Sequence, residues 1–198
     1  MTSRAHESEC ELARLGCARI LQHPRPVVLI GGLGMGYTLR TALDLLGPKA
    51  SVVVSELMPE MVAWNREHLG GLTGHPLRDP RVDLRIGDVV EIIRNSECVF
   101  DAILLDVDNG PEAFTSSGND QLYSRQGLQM CMRALQPKGC LAIWAGSADS
   151  GFEKRVRQEN LPFRCCPTSA YKGARTLSRY IWLIARDMRA LPPSRASV

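Results

Sequence analysis

Three acidic residues stand directly after short apolar runs, in a pattern typical of a nucleoside-binding site. Glu56, Asp88 and Asp106 each mark the point where such a run ends. The carboxyl ends of parallel strands meet at one edge of a sheet, so the three carboxylates are expected to lie close together. A carboxylate can accept hydrogen bonds from both ribose hydroxyls, or read an adenine edge beside a backbone N–H. We expect Glu56 at the ribose, Asp88 at the adenine and Asp106 at the reacting centre.

A glycine-rich turn after the first apolar run indicates that a ligand approaches the backbone closely. Residues 31–36 read GGLGMG, and glycines there tolerate the unusual φ values of a tight turn. No register gives G-x-G-x-x-G, the form that holds the pyrophosphate of a dinucleotide. The G-x-G-x-G form at Gly32, Gly34 and Gly36 is instead typical of class I methyltransferases, whose ligand has no phosphate. A purely structural glycine turn is the alternative.

Hydrophobic periodicity places these residues in an alternating series of strands and helices. Short apolar runs predict strands, and the spacing i, i+3, i+4, i+7 from Leu39 to Leu46 is one buried helix face. The predicted strands cover 27–30, 52–54, 82–86, 100–105, 141–144, 163–166 and 179–185. Such alternation predicts a doubly wound α/β domain, and the likeness of the glycine turn to that of class I methyltransferases implies their Rossmann-like fold. We expect a mostly parallel seven-stranded sheet, helices on both faces and a C-terminal antiparallel hairpin.

Length and composition indicate an ordinary globular domain. The chain has 198 residues, and we expect one domain over 1–190, an N-terminal helix over 7–21 and a loose tail over 191–198. No run approaches the roughly 18 apolar residues of a membrane span, and the start has no apolar signal region. The seven cysteines include no C-x-x-C pair, which favours buried thiols in a reducing compartment. The prediction is a cytoplasmic protein without a bound metal or a membrane partner.

The charge pattern argues against nucleic acid as a partner. Residues 151–198 carry ten Lys and Arg against three Asp and Glu. These charges are scattered and lack the aromatic interleaving of a single-strand binding groove, so a solvated face is the preferred interpretation. The chain also lacks the N-P-P-Y or D-P-P-Y pattern typical of base methylation. We expect a small-molecule acceptor, and a homodimer is possible.

Taken together, these motifs resemble the spermidine synthase-like branch of the class I methyltransferase fold over roughly residues 27–144. The matching stretches are 31–36, Glu56 with its following helix, Asp79-Pro80-Arg81-Val82 leading to Gly87-Asp88, 100–106, Gly110-Pro111, Leu122-Tyr123 and 135–139. The resemblance implies an adenosyl sulfonium cofactor, either S-adenosylmethionine or its decarboxylated form. The residues expected to bind it are Gly31, Gly32, Gly34, Gly36, Glu56, Leu57, Gly87, Asp88, Val89 and Asp106.

The chain departs from aminopropyltransferases of that branch at two motifs. Gly34 stands where they typically carry an Asp that helps to hold the propylamine ammonium of the decarboxylated cofactor. Residues 106–111, which read DVDNGP, are shorter than the family's D-S-S-D-P-x-G-P. The residues before the first strand also read as helix rather than as the family's N-terminal β-hairpin domain. These departures favour a small-molecule methyltransferase, with an aminopropyltransferase as the alternative and a non-catalytic nucleoside-binding protein as the second.

Group transfer from a sulfonium is a displacement with a neutral thioether as leaving group, so alignment supplies most of the catalysis. A base is needed only where the nucleophile arrives protonated, as an amine does. Asp106 and Asp108 stand two residues apart, and both could project into one pocket. Asp108 is either that base or a turn residue. Tyr123 follows a polar stretch and either closes over the substrate or packs in the core. The expected catalytic residues are thus Asp106, Asp108 and Tyr123.

Overall fold

Seven strands form one sheet in the computed structural model, which describes residues 4–107, 120–171, 173 and 176–192. The strands are β1 (Val27–Gly31), β2 (Ser51–Glu56), β3 (Val82–Ile86), β4 (Phe100–Leu105), β5 (Leu135–Ala145), β6 (Phe163–Thr168) and β7 (Arg179–Ala185). Their order across the sheet is β3-β2-β1-β4-β5-β7-β6. The first five are parallel, and β7 is antiparallel to both of its neighbours. The predicted fold is therefore confirmed, including the C-terminal hairpin.

Helices connect the strands and cover both faces of the sheet. They are α1 (Glu7–Cys17), α2 (Tyr37–Leu45), α3 (Pro59–Trp64), α4 (Val89–Arg94), α5 (Asp120–Tyr123), α6 (Arg125–Ala134) and α7 (Ser150–Gln158). Short helical turns cover Asn65–Leu69, Gly70–Thr73, Pro76–Arg78 and Met188–Ala190. Strand β5 is longer than predicted because Leu135 already pairs with Phe100, before a shift of register.

Two apolar cores lie on opposite faces of the sheet, because successive strand residues point to opposite sides. On one face, Ile30 and Leu104 pack with α1 and α2. On the other, Leu29 and Ile103 pack with α4, α6 and α7. All four of these strand side chains are fully buried, as a central parallel strand requires.

The N-terminal helix ends earlier than the predicted range 7–21. Helix α1 stops at Cys17, and Ile20 then donates its N–H to the Cys17 carbonyl. This bond spans three residues and tightens the chain into a turn that ends the helix. A Cβ on Gly16 would lie 2.2 Å from Leu104 Cδ2 and 3.0 Å from Ala142 Cβ. Glycine therefore lets α1 lie directly on the sheet.

The predicted loose tail begins later than residue 191. Leu191 is buried, and its carbonyl accepts a hydrogen bond of 2.9 Å from Arg19 Nε. The Pro192 carbonyl accepts one from Arg164. The buried Leu191 side chain and the guanidinium groups of Arg19 and Arg164 therefore hold the chain against the domain as far as Pro192. Residues 193–198 lie outside the described part.

Burial sets the chemistry of three of the seven cysteines. Burial raises the pKa of Cys17, Cys131 and Cys140 to about 12, so these side chains behave as small apolar groups. In the part of the chain that the structure describes, no helix is long and apolar enough to cross a membrane.

The D-P-R-V segment before β3 is a structural clamp. The Arg81 guanidinium donates to both carboxylate oxygens of Asp79, at 2.9 and 2.7 Å. It also donates to the Leu46 carbonyl at 2.8 Å, which fastens the start of β3 to the end of α2. The hydrogen bonds from Arg81 lower the pKa of Asp79 to about 2.

This clamp predicts an acid-dependent loss of stability. The pKa of Asp79 is lower in the folded chain than in the unfolded one, so the clamp stabilises the fold fully above about pH 5 and progressively less as the pH falls toward about 2. We expect Asp79→Asn to lower the free energy of unfolding by about 2 kcal/mol near neutral pH. Urea unfolding at about pH 7 and about pH 2.5 should show the difference from wild type shrinking at the lower pH.

Asp83→Asn is the matched control, because the Asp83–Arg85 ion pair is about half exposed. Exposed ion pairs stabilise proteins little, so this variant should differ from wild type by less than about 1 kcal/mol at either pH. Equal effects of the two substitutions would contradict a special role for Asp79.

Candidate functional site

The glycine-rich turn joins β1 to α2 and needs its glycines for two reasons. The φ values of Gly32, Gly34 and Gly36 are positive, at 88°, 50° and 83°. Residues other than glycine rarely adopt this region. A Cβ on Gly32 would also lie 2.3 Å from the Asp106 carbonyl oxygen. The turn therefore passes closer to the end of β4 than any larger residue would allow.

Glu56 connects this turn to the end of β2. One carboxylate oxygen accepts the Leu33 N–H at 2.8 Å, and the other accepts the Met58 N–H at 2.9 Å. The side chain is only 8% exposed. Each carboxylate oxygen has a second lone pair, so Glu56 can hold the turn and still accept hydrogen bonds from ligand hydroxyls.

The ends of β2 and β3 present both polar and apolar groups. Asp88 caps α4 by accepting the Val90 N–H at 2.8 Å. Leu57 is 68% exposed and Ile86 is 55% exposed. Leu57 directly follows β2, Ile86 ends β3, and these two strands pair with Glu56 opposite Ile86. An apolar surface thus lies beside carboxylates, a combination that suits a nucleobase. Ile86 was not among the predicted residues, because its alternating strand indicated a buried side chain.

This edge of the sheet is held in place by a backbone hydrogen bond and by close packing, which involve Gly31, Gly87 and Val89. The Gly87 N–H donates to the Glu56 carbonyl at 2.8 Å, so the β2–β3 pairing continues to the site. Val89 is buried, and a Cβ on Gly31 would lie 3.0 Å from its side chain. Gly31 and Val89 therefore pack closely together under the turn, and their contact with the ligand stays a prediction.

Asp106 lies at the end of β4 and is oriented by the first turn of α2. Its N–H donates to the Gly31 carbonyl at 2.8 Å. One carboxylate oxygen accepts the hydroxyl of Thr38, which is buried, at 2.6 Å. Sequence reasoning missed Thr38, since a threonine inside an amphipathic helix gives no functional signal.

The start of α1 lies at the same edge of the sheet. The His6 ring stacks on Tyr37 with 4.0 Å between centroids, and the Glu7 N–H donates to the Ala170 carbonyl at 3.1 Å. The Thr38 hydroxyl also lies 3.4 Å from the Glu9 carbonyl oxygen. The N-terminal helix thus covers the beginning of α2, next to Asp106.

Of the other two predicted catalytic residues, the structure describes Tyr123. Asp108 lies outside the described residues. The Tyr123 side chain is 3% exposed and packs edge-to-face on Phe152, with ring centroids 5.9 Å apart. The structure therefore places Tyr123 in the core of that face of the sheet, rather than in a closing lid.

A groove of about 920 Å³ opens at the opposite edge of the sheet. Its lining includes Val27 at the start of β1, Asp101 near the start of β4 and Lys138 in the first half of β5. None of the predicted site residues that the structure describes lines it. The groove is therefore separate from the cluster of carboxylates, and its size does not make it the site of the predicted chemistry.

The geometry brings the glycine turn and three carboxylates together, and comparison with known proteins identifies the family. The family model of the spermine/spermidine synthase domain matches residues 12–158. A polyamine aminopropyltransferase of Synechococcus sp. (strain JA-2-3B'a(2-13)) is 32% identical over 123 residues, which are 62% of this chain and 38% of the relative. One from Nitrosomonas europaea is 32% identical over 122 residues, 61% of this chain and 35% of the relative. The chain thus spans less than two fifths of the length of these curated relatives.

Solved structures share the fold. A spermidine synthase in complex with the transition-state analogue AdoDATO has a TM-score of 0.69 at 22% identity, over 93% of this chain and 64% of that one. The spermidine synthase of Thermotoga maritima has a TM-score of 0.66 at 20% identity, over 93% and 63%. Human methyltransferase-like protein 13 in complex with SAH has a TM-score of 0.65 at 19% identity, over 94% and 83%. At these identities the likeness concerns the fold alone.

The preference for methyl transfer is therefore wrong. It gave the greatest weight to Gly34 and to the helical N-terminus, whereas the family model and the curated relatives belong to aminopropyltransferases. The predicted resemblance itself is confirmed, and the stated alternative agrees better with these matches. The chain belongs to the spermine/spermidine synthase family.

Proposed function

We propose that the chain carries out aminopropyl transfer from decarboxylated S-adenosylmethionine to a small amine acceptor of the polyamine class. The observation that carries the proposal is that Glu56 and Asp106 both contact the glycine turn, and that Gly87, directly before Asp88, is hydrogen-bonded to Glu56, in a member of this family. Carboxylates suit both parts of the reaction, because the donor is a sulfonium cation and the acceptor is an ammonium ion in solution.

The donor's adenosine part fits the polar and apolar groups at the ends of β2 and β3. The spare lone pairs of the Glu56 carboxylate suit the ribose hydroxyls. The exposed side chains of Leu57 and Ile86 suit the faces of the adenine ring, which is largely apolar. Asp88 suits its amino edge, as an acceptor beside a helix N-terminus. The tail of the donor would then cross the glycine turn toward Asp106.

The reaction is a displacement at carbon. The acceptor ammonium first gives one proton to a base, which frees the nitrogen lone pair. That lone pair attacks the aminopropyl methylene carbon bonded to sulfur, a new C–N bond forms, and the C–S bond breaks with its electron pair going to sulfur. Methylthioadenosine leaves as a neutral thioether, and the product nitrogen remains an ammonium. Asp106 is the proposed base, with the Thr38 hydroxyl fixing the orientation of its carboxylate. Asp108 remains a second predicted base.

The remaining expectations stay predictions. The acceptor is a small molecule, and nucleic acid and membranes are not expected as partners. A homodimer and a cytoplasmic location are likewise predicted from sequence.

The donor preference gives the first prediction for this site. Decarboxylated S-adenosylmethionine should bind more tightly than S-adenosylmethionine by about tenfold, because the extra carboxylate would approach the Asp106 side of the site, where like charges repel. Isothermal titration calorimetry of both compounds, followed by an assay for methylthioadenosine release with a diamine, measures this. Tighter binding of S-adenosylmethionine, or binding of neither compound, would refute the proposed function.

Removing single carboxylates should separate binding from chemistry. Asp106→Asn is expected to lower kcat by roughly 10²- to 10⁴-fold, the usual contribution of a general base, with a loss of donor affinity of only about tenfold because the sulfonium loses one facing carboxylate. Glu56→Gln should instead weaken donor binding, because an amide oxygen and an NH₂ group replace two acceptor oxygens that both hold backbone N–H groups.

The control is Asp83→Asn, which removes an exposed carboxylate of β3 that pairs with Arg85. Its kcat and donor affinity should match those of wild type. An Asp106→Asn variant with unchanged kcat would exclude Asp106 as the base.

A further inference from the structure

A compact segment lies behind the glycine turn and packs against it. It starts with the π-helical turn Asn65–Leu69 and runs to the short helical turn that begins at Pro76. A Cβ on Gly36 would lie 3.2 Å from both the Pro76 ring and the Thr73 hydroxyl. The glycine turn therefore packs on this segment, which we call the floor segment. π-helical turns such as the one at its start often occur at functional sites.

Asn65 is a residue of this segment whose side chain is hydrogen-bonded to the glycine turn. Its side-chain NH₂ group donates to the Gly34 carbonyl at 2.7 Å and to the Met61 carbonyl at 3.0 Å. Asn65 is 3% exposed. Two carbonyl acceptors fix which end of the amide is nitrogen, so the amide oxygen points the other way.

That amide oxygen is buried and has no hydrogen-bond donor among the residues described. It lies 3.4 Å from the position of a Cβ on Gly36. A buried acceptor without a donor is unfavourable, and an alanine or a leucine here would avoid it. The two hydrogen bonds that the Asn65 NH₂ group donates therefore offset the cost of leaving its amide oxygen without a donor.

The bond to Gly34 controls the direction of one peptide group in the turn. In a trans peptide, the C=O and the following N–H point in opposite directions. Because the Gly34 carbonyl points at Asn65, the Met35 N–H points away from Asn65. The Thr73 hydroxyl lies 3.4 Å from the Met35 carbonyl oxygen and supports the next peptide in the same way.

We propose that Asn65 is a positioning residue for the tail of the donor, the part between sulfur and the terminal amine. The inference rests on the proposed function, in which that tail crosses the glycine turn. Asn65 presents the Gly34–Met35 peptide in a preformed orientation, so the ligand does not have to order the turn on binding. The adenosine part depends on Glu56, Leu57 and Asp88 instead.

Two ligands that share the methylthioadenosine part test this assignment, and they differ in the aminopropyl tail and in the sulfonium charge that comes with it. Methylthioadenosine carries the same adenosine with a methyl group on sulfur, and decarboxylated S-adenosylmethionine carries the full aminopropyl tail. Asn65→Leu keeps a similar side-chain volume and removes the donor. We expect it to weaken binding of the tail-bearing ligand by about tenfold, since one fixed hydrogen bond and the ordering of the turn are lost. Binding of methylthioadenosine should change by less than about twofold, because the hydrogen bonds given for the Asn65 side chain go to Gly34 and Met61 and those for Glu56 and Asp88 go elsewhere.

A second variant and a kinetic readout separate positioning from folding. Asn65→Asp has the same shape but turns a carboxylate oxygen toward the Gly34 carbonyl, so it should weaken tail binding at least as much as Asn65→Leu. In steady-state kinetics, KM for the donor should rise more than kcat falls. Asn95→Leu is the matched control, because Asn95 is exposed at the end of α4, and both ligands should bind it as they bind wild type.

The outcomes are distinct. Equal losses for both ligands would assign Asn65 to the folding of the turn alone and overturn the proposal, as would unchanged binding of both. Failure of the wild-type chain to bind either ligand would refute the proposed function before Asn65 is tested.

Discussion

The carboxylate of Glu56 is the contact on which the rest of the site depends. It accepts backbone N–H groups from two separate segments, the glycine turn after β1 and the start of the connection after β2. Both bonds are largely buried, and hydrogen bonds to an ionised acceptor are among the stronger ones in proteins. The Glu56 carbonyl also accepts the Gly87 N–H. One residue thus ties together three loops that would otherwise be joined only through their strands.

Close approach of the backbone is the second constraint. Gly32 lets the turn lie against the Asp106 carbonyl, and Gly16 lets α1 lie on the sheet. The helix then places its first turn beside α2, where Thr38 orients the Asp106 carboxylate. Packing and chemistry are therefore linked through glycines at the crowded positions. The Asp79–Arg81 clamp belongs to a different class, because it contacts α2 and holds the fold without facing the site.

Single residues and whole motif strings carried different information about function. Gly34 replaces an acidic residue that the resemblance implied, and weighing that one position heavily led to the wrong preference for methyl transfer. In the structure the Gly34 carbonyl is held by Asn65, so the position supports the turn through its backbone. One side chain can be lost from a ligand site while the backbone that shapes the site persists, which is why the complete set of motifs was the better guide to the family.

The amino-acid sequence by itself determined the strands, the parallel sheet with its terminal hairpin, the glycine turn and the acidic strand ends, because each is encoded locally by periodicity, turn residues and spacing. Only the tertiary structure decided which residues meet across long separations. The bonds of Thr38 to Asp106 and of Asn65 to Gly34 involve ordinary polar residues of helices, and nothing in their neighbourhoods marks them. The burial of Tyr123 likewise depends on Phe152, which lies on another helix. Such contacts follow from how elements pack against one another, and a local pattern carries no record of its distant partner.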